Sequence, residues 1–329
     1  MTRKMISPSM LSTLGMRDLI VEAPGILPGQ GGLTLVSCVK NEALRLPFFL
    51  KYYTGLGVDH FIIIDSGSCD ETLNIARKLP NALIVHAPPQ AYSLSNAGVD
   101  WVNHILDALD YRGWVLMADA DELLMWPGSN EGISALCHKA RAAGMNRIFT
   151  PMLDAYPEHA LSSSVHKPYQ AGTPFWAAAP WIDPWEYYEF RVGRLGRLRI
   201  TGGPRDRLVQ RGTKSSSPQM SKQSLAYYGV GGTRFFNSHF TDDCRPSSIV
   251  APLVHYKLLS DLGDRARRAI VEGQHYNNAA EWKGIITSEF LDTPMYRKDS
   301  VMCTSGDDLR PHIVQLESLI KRNFYEKKT

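Results

Sequence analysis

Apolar residues follow two alternating rhythms along this chain, and the alternation predicts a layered α/β fold. Residues 58–64 are a nearly unbroken apolar run ending at Asp65, as expected of a strand buried on both faces, and a strand is also expected at 33–39. Between them Leu44, Phe48, Phe49 and Tyr52 recur at helical spacing, which predicts a helix from Asn41-Glu42-Ala43 to about Gly55. The stretch 66–72, Ser-Gly-Ser-Cys-Asp-Glu-Thr, reads as a turn and helix start, with the helix reaching Lys78. A third strand at 82–86 precedes Pro88-Pro89, and a longer helical pattern covers 95–109. A strand at 113–118 then runs straight into Asp119-Ala120-Asp121-Glu122, followed by a helix at 132–143 and a strand at 147–152. This β-α-β order predicts a mainly parallel sheet flanked by helices. Ligands of such sheets bind beyond the carboxyl ends of the strands, where Asp65 and Asp119 both fall.

The ends of the chain read differently. Residues 1–32 are rich in Gly, Pro, Ser and Met, with a short helical hint at 14–21, and are expected to form an extension. From 154 to 232 periodicity is lost while Pro, Trp, Tyr, Gly and Arg accumulate, which predicts binding loops or lids. Short strands are expected at 234–240 and 248–256, and after Ser260 the pattern is helical and charged. The predicted organisation is an N-terminal extension at 1–32, one α/β domain at 33–259 and a helical region at 260–329.

Composition narrows the partners. A formal net charge of +3 over 329 residues gives no electrostatic case for a nucleic-acid partner. The five cysteines form no CxxC pair, which argues against structural zinc. An odd number of thiols, with no export signal after Met1-Thr2-Arg3-Lys4, fits a cytoplasmic protein. No apolar run approaches the roughly 20 residues of a membrane span, so any membrane contact is expected to be peripheral.

The chemistry concentrates at Asp119 and Asp121. In extended backbone, residues two apart point to one side, so both carboxylates can face one ion. Mg²⁺ and Mn²⁺ take carboxylate oxygens and share their other positions with phosphates. A nucleoside diphosphate leaving group needs that neutralisation. A bare Asp-x-Asp is often only a solvated turn, and its place after a buried strand is what gives it weight here. Arg205 and Arg207 follow a Gly202-Gly203-Pro204 turn and suit either phosphate recognition or a structural ion pair. Trp176, Trp181 and Trp185 could stack on sugar rings, fill the core or rest on a membrane surface.

Several ordered segments resemble one family. They are Ser37-Cys-Val-Lys-Asn-Glu-Ala43, Leu56-Gly-Val-Asp-His60, Ile64-Asp65-Ser-Gly-Ser-Cys-Asp70 and Ser95-Asn96-Ala-Gly98-Val-Asp-Trp101, then Asp119-Ala-Asp-Glu122. They continue in Gly202-Gly-Pro-Arg205-Asp-Arg207, Ser221-Lys222, Ser238-His239-Phe240 and Val254-His255-Tyr256-Lys257. Together they resemble the bacterial family-2-like glycosyltransferases, of GT-A fold, over residues 33–265. The resemblance implies a Rossmann-like, mainly parallel mixed sheet and a hexosyltransferase working on a nucleotide-sugar, most commonly a UDP-sugar. It implies Mn²⁺ or Mg²⁺, an inverting outcome, and a glycan or lipid-linked glycan acceptor in polysaccharide biosynthesis.

Residue by residue, the resemblance places Val39, Asn41 and Asp65 around base and ribose, with Asn96 and Asp119 in the same nucleotide site. His255 resembles a third metal ligand beside Asp119 and Asp121, with a structural histidine as the alternative. Lys257 is one strand period further on and either meets the diphosphate or is solvated; Lys222 and His239 share a segment and a pocket wall. A general base must take the acceptor proton. Asp154, just past the expected strand 147–152, is the first choice, with Asp206, His239 and Asp242 as rivals and loop capping as its other reading. Two other classes stay open, a sugar nucleotidyltransferase and a non-catalytic carbohydrate-binding module. The first usually has a Gly-rich basic loop after its first strand, where this chain has Val39-Lys-Asn-Glu-Ala43.

Overall fold

In the computed structural model the apolar runs become strands hidden on both faces, and the described residues are 19–22, 30–163, 165, 168–209, 218–229, 231–273, 282–286 and 288–326. In chain order the first elements are β1 (Ile20–Val21), β2 (Leu33–Val39), α1 (Leu46–Gly55), β3 (His60–Asp65), α2 (Thr72–Ala76) and β4 (Ala82–His86). There follow α3 (Val99–Ala108), β5 (Gly113–Met117), β6 (Glu122–Leu124), α4 (Gly132–Ala142), β7 (Arg147–Ile148) and β8 (Met152–Tyr156). Then come β9 (Trp181–Ile182), β10 (Tyr188–Val192), β11 (Leu198–Gly202), α5 (Gly203–Val209), β12 (Leu225–Tyr228) and β13 (Leu253–His255). The last are α6 (Leu262–Glu272), α7 (Ser288–Asp292), β14 (Val301–Met302) and α8 (Arg310–Ile320).

The chain divides into two compact units, each assembled from separate segments. The first is 1–121, 130–148 and 223–243; the second is 122–129, 149–222 and 244–329. In the first, a seven-stranded sheet runs β1-β4-β3-β2-β5-β12-β7. Its centre is parallel, with Val36 on β2 facing Ile62 of β3 and Met117 of β5, while β1 and β12 run antiparallel. The core joins Val36, Ile62, Val85 and Val115 of the sheet to Val102 and Ile105 of α3. Burial of each such side chain contributes about 1.5–3 kcal/mol. The chain leaves β2 for β3 and β4 on one side, then returns to place β5 on the other. The carboxyl ends of β2 and β5 are therefore the topological switch point of the sheet.

Local departures from the sequence pattern have physical causes. Helix α1 starts at Leu46, because Asn41 takes a left-handed conformation (φ 56°) and Pro47 fits the first helical turn. Helix α3 starts only at Val99, after Asn96, Ala97 and Gly98 have all adopted positive φ. At Gly98 (φ 82°) a Cβ would stand 2.6 Å from the Cys38 sulfur, so only glycine lets this loop lie against β2. The helical hint at 14–21 is overturned at its described end, where Ile20 pairs with His86 in an extended strand; 14–18 lie outside the described residues.

The expected strand at 147–152 is two strands, one per unit, separated by Pro151, which has no N–H for a ladder. The second unit holds a mixed sheet ordered β14-β9-β8-β13-β6 and a separate ribbon of β10 and β11. The region from 154 to 232, where loops or lids are expected, contains four short strands and α5 among its described residues. Their brevity erased the periodicity. Around 234–240 only a single bridge, Phe235 with Thr241, replaces the expected strand. Helices α6, α7 and α8 supply the expected C-terminal helical region, and Leu258, Leu262, Trp282 and Phe290 pack in one core with Tyr156. Among the described residues no helix is long and apolar enough to cross a membrane.

Candidate functional site

In the first unit, hydrogen bonds sew the loops after β2 and β3 together. The backbone N–H of Asn41 donates to Ser68 Oγ at 2.9 Å, and Asn41 Oδ1 accepts from the N–H of Cys69 at 2.8 Å. The N–H of Glu42 donates to Thr72 Oγ1 at 2.7 Å, and that of Ser66 to the carbonyl of Val39 at 2.9 Å. The buried Asp65 carboxylate ends β3 and accepts from the N–H groups of Gly67 and Ser68 at 3.1–3.2 Å. A carboxylate has about four lone-pair sites, so this turn leaves acceptor capacity at Asp65. Beside it the Ser66 hydroxyl is buried without a hydrogen-bond partner among the described residues.

Across the switch point, Asp119 is exposed and Asp121 is buried. The backbone turns at Ala120 and Asp121, so the extended geometry expected for this pair is replaced by a turn. Burial pushes the Cys38 thiol up, and the Asp119 carboxylate adds to that rise, so Asp119 carries its charge close to β2. Asn96 donates from Nδ2 to the carbonyl of Phe236 at 2.8 Å. His239 is half-buried in the same unit; its N–H donates to Asn237 Oδ1 and its carbonyl accepts from Gln223. Val39, Asn41, Asp65, Asp119 and Asp121 thus all lie at the carboxyl end of one sheet.

The donor set there suits a hard cation. Among the described residues, no group of three or more His, Cys, Asp or Glu is gathered to hold a metal by itself. Two carboxylates completed by ligand phosphates and water are the coordination Mg²⁺ favours. His255, expected as a third ligand, belongs to the second unit.

In that second unit, strand register builds a row of charges. Glu122 on β6 faces His255 on β13, which faces Asp154 on β8. Lys222 Nζ closes one end on both Glu122 oxygens at 2.6 and 2.7 Å. Arg205 Nε closes the other on Asp154 Oδ2 at 2.7 Å, while His255 Nδ1 lies 2.7 Å from Asp154 Oδ1. All five residues are buried. Burial by itself would raise the Asp154 pKa; the Arg205 charge and the His255 hydrogen bond outweigh it and hold the carboxyl below its ordinary range.

The remaining expected cations also have partners within this unit. Arg207 forks onto Asp183 at 2.9 and 3.0 Å and lies over the Tyr156 ring, and Lys257 Nζ sits 4.2 Å above Trp282. Asp183, which also accepts from Tyr156 Oη at 2.6 Å, escaped the sequence reading. Its only signal is an acid set between Ile182 and Pro184 in an aromatic stretch.

No protein-family model and no curated protein matches the chain. Among solved structures it is similar to glucosyl-3-phosphoglycerate synthase from Mycobacterium tuberculosis. In that enzyme's complex with Mn²⁺, UDP and phosphoglyceric acid the identity is 18%, over 39% of this chain and 49% of that one, with a TM-score of 0.26. The same enzyme with UDP alone gives 17% identity over 48% and 51%, at a TM-score of 0.25. A further mycobacterial protein gives 18% over 39% and 42%, at 0.27. The match spans about half the length of the synthase chains.

The tryptophans of the aromatic stretch divide. Trp181 packs edge-on against Tyr296, and Trp185 stacks on Tyr188 and meets the edge of His312. Both serve the packing of the second unit, while Trp176 is half-buried.

Proposed function

We propose that this chain is a metal-dependent glycosyltransferase that takes a sugar from a nucleotide-sugar. The observation that carries the proposal is the meeting, at one switch point, of the Asn41–Asp65 loops with Asp119 and Asp121. In this reading the backbone at Val39 and the spare acceptor capacity of Asp65 hold base and ribose, and Asn96 borders the same site. Asp119 and Asp121 would hold Mn²⁺ or Mg²⁺, which when bound neutralises the diphosphate. The acceptor hydroxyl attacks the anomeric carbon, its proton passes to a base, and the nucleoside diphosphate departs with inversion. His239 is the preferred base, because the Asp154 carboxylate is buried and committed to Arg205 and His255. Arg205, Arg207 and Lys222 act here as the framework of the second unit. By the sequence resemblance the donor is a UDP-hexose and the acceptor a glycan or lipid-linked glycan of polysaccharide synthesis.

Calorimetric titration of UDP and GDP into the whole chain, with Mn²⁺ and then with EDTA, tests the proposal, repeated on Asp121→Ala. Binding of one nucleotide that needs both Mn²⁺ and Asp121 is the expected result. Absence of nucleotide binding in every condition would remove the reading.

A further inference from the structure

The β10–β11 ribbon concentrates charge and exposed apolar surface in fifteen residues. Between Tyr188 and Gly202 there are four arginines (191, 194, 197 and 199) and one acid, Glu189. That excess of three positive charges equals the formal net charge of the whole chain, +3, so the rest is balanced. The distribution is not explained by pairing. Among the described residues, Arg191, Arg194 and Arg199 make no ion pair, and all three are exposed. Arg191 and Arg199 even stand directly opposite one another across the ribbon. Like charges so placed are destabilising unless an anion lies over them.

The apolar residues are equally displaced from their usual place. Phe190 and Val192 share the face of Ile200 and Leu198, yet remain 42% and 49% exposed. At the tip Leu195 is 86% exposed. It holds a left-handed conformation (φ 60°), which costs an ordinary side chain about 1–2 kcal/mol and which glycine would adopt freely. Behind the tip there is little room: a Cβ on Gly196 would stand 3.0 Å from Arg245 Cγ and 3.7 Å from a Phe324 ring carbon. An apolar point with arginines one rung back fits one chemistry well. Leucine and valine enter the acyl boundary while guanidinium groups meet lipid phosphates. A polyanion in water would meet the arginines but offer nothing to Leu195.

We infer that the 188–202 ribbon docks the protein, tip first, on an anionic membrane surface. This goes beyond the transferase reading and does not depend on it. The test is cosedimentation of the whole chain with phosphatidylcholine vesicles, with and without phosphatidylglycerol, and titration with heparin in the absence of lipid. Binding should appear only on the phosphatidylglycerol vesicles. It should fall about a hundred-fold in R191Q/R194Q/R199Q, given about 1 kcal/mol per basic residue at such a surface. Leu195→Ser should weaken it about ten-fold. All four side chains are exposed, so neither variant is expected to lose thermal stability. Equal binding to neutral vesicles, no binding, or lipid binding untouched by either variant would overturn the inference. So would heparin binding of equal strength that Leu195→Ser leaves intact, which would point to a soluble polyanion.

Discussion

His255 and Asp154 are register partners on adjacent parallel strands, and Nδ1 of the one lies 2.7 Å from Oδ1 of the other. Because Arg205 holds the second oxygen, the carboxylate is the link on which both neighbouring side chains depend. Removing one partner of a buried ion pair is much worse than replacing both. Asp154→Ala should lower stability by about 3–5 kcal/mol, whereas Asp154→Leu combined with Arg205→Met should recover most of it. Urea denaturation of the singles and the double decides. Additive losses would show that the pairing is not what holds this region.

Asn41 should reverse the usual rank of glycine and alanine. Its φ of 56° is open to glycine and strained for alanine, while both replacements lose the acceptor for the Cys69 N–H. Asn41→Ala should therefore be less stable than Asn41→Gly by about 1 kcal/mol. Thermal unfolding measures the difference, and the opposite order would mean that the loop relaxes out of the left-handed conformation.

His312 gives the second unit an acid-sensitive element. Burial lowers its pKa below 6.5, and the hydrogen bond to the Asp183 carbonyl only partly offsets this. With Nε2 3.0 Å from that carbonyl and Nδ1 buried without a partner among the described residues, a second proton has no acceptor. The unfolded chain thus binds more protons than the native one as pH falls. Stability contributed by the neutral ring is complete above about pH 6.5 and is lost as pH drops through the unfolded value toward the folded one. Replacing His312 by Gln should flatten the urea midpoint between about pH 7 and pH 5. A slope identical to that of the parent protein would assign the acid sensitivity elsewhere.

These groups differ in how far the sequence betrays them. Strands β2, β3 and β5 are legible because burial on both faces favours mainly apolar stretches, and Asp65 and Asp119 mark where those leading to the site stop. The break at Asn41 is not legible, since Asn-Glu-Ala reads equally well as a helix start. The Glu122–His255–Asp154 row is hidden for a stronger reason. It exists only through the register of three strands, with His255 and Asp154 separated by 101 positions. Arg205 and Arg207 could be picked out as a pair but not assigned, because a phosphate and a buried carboxylate ask for the same fork.

Asp119 and Asp121 should separate binding from folding. Asp119 is exposed, so Asp119→Asn should change stability by no more than about 0.5 kcal/mol. Asp121 is buried, and Asp121→Asn should cost about 1–3 kcal/mol. On the transferase reading UDP with Mn²⁺ should raise the stability of the parent protein, and both replacements should abolish that rise. That rise is about 2.7 kcal/mol when the free nucleotide is at about a hundred times its Kd. Chelation by EDTA should erase the same increment without touching the baseline. Urea titrations with and without nucleotide, on three proteins, resolve the two effects. If Asp119→Asn keeps the full increment, the exposed carboxylate is not a ligand, and the cation is held without it.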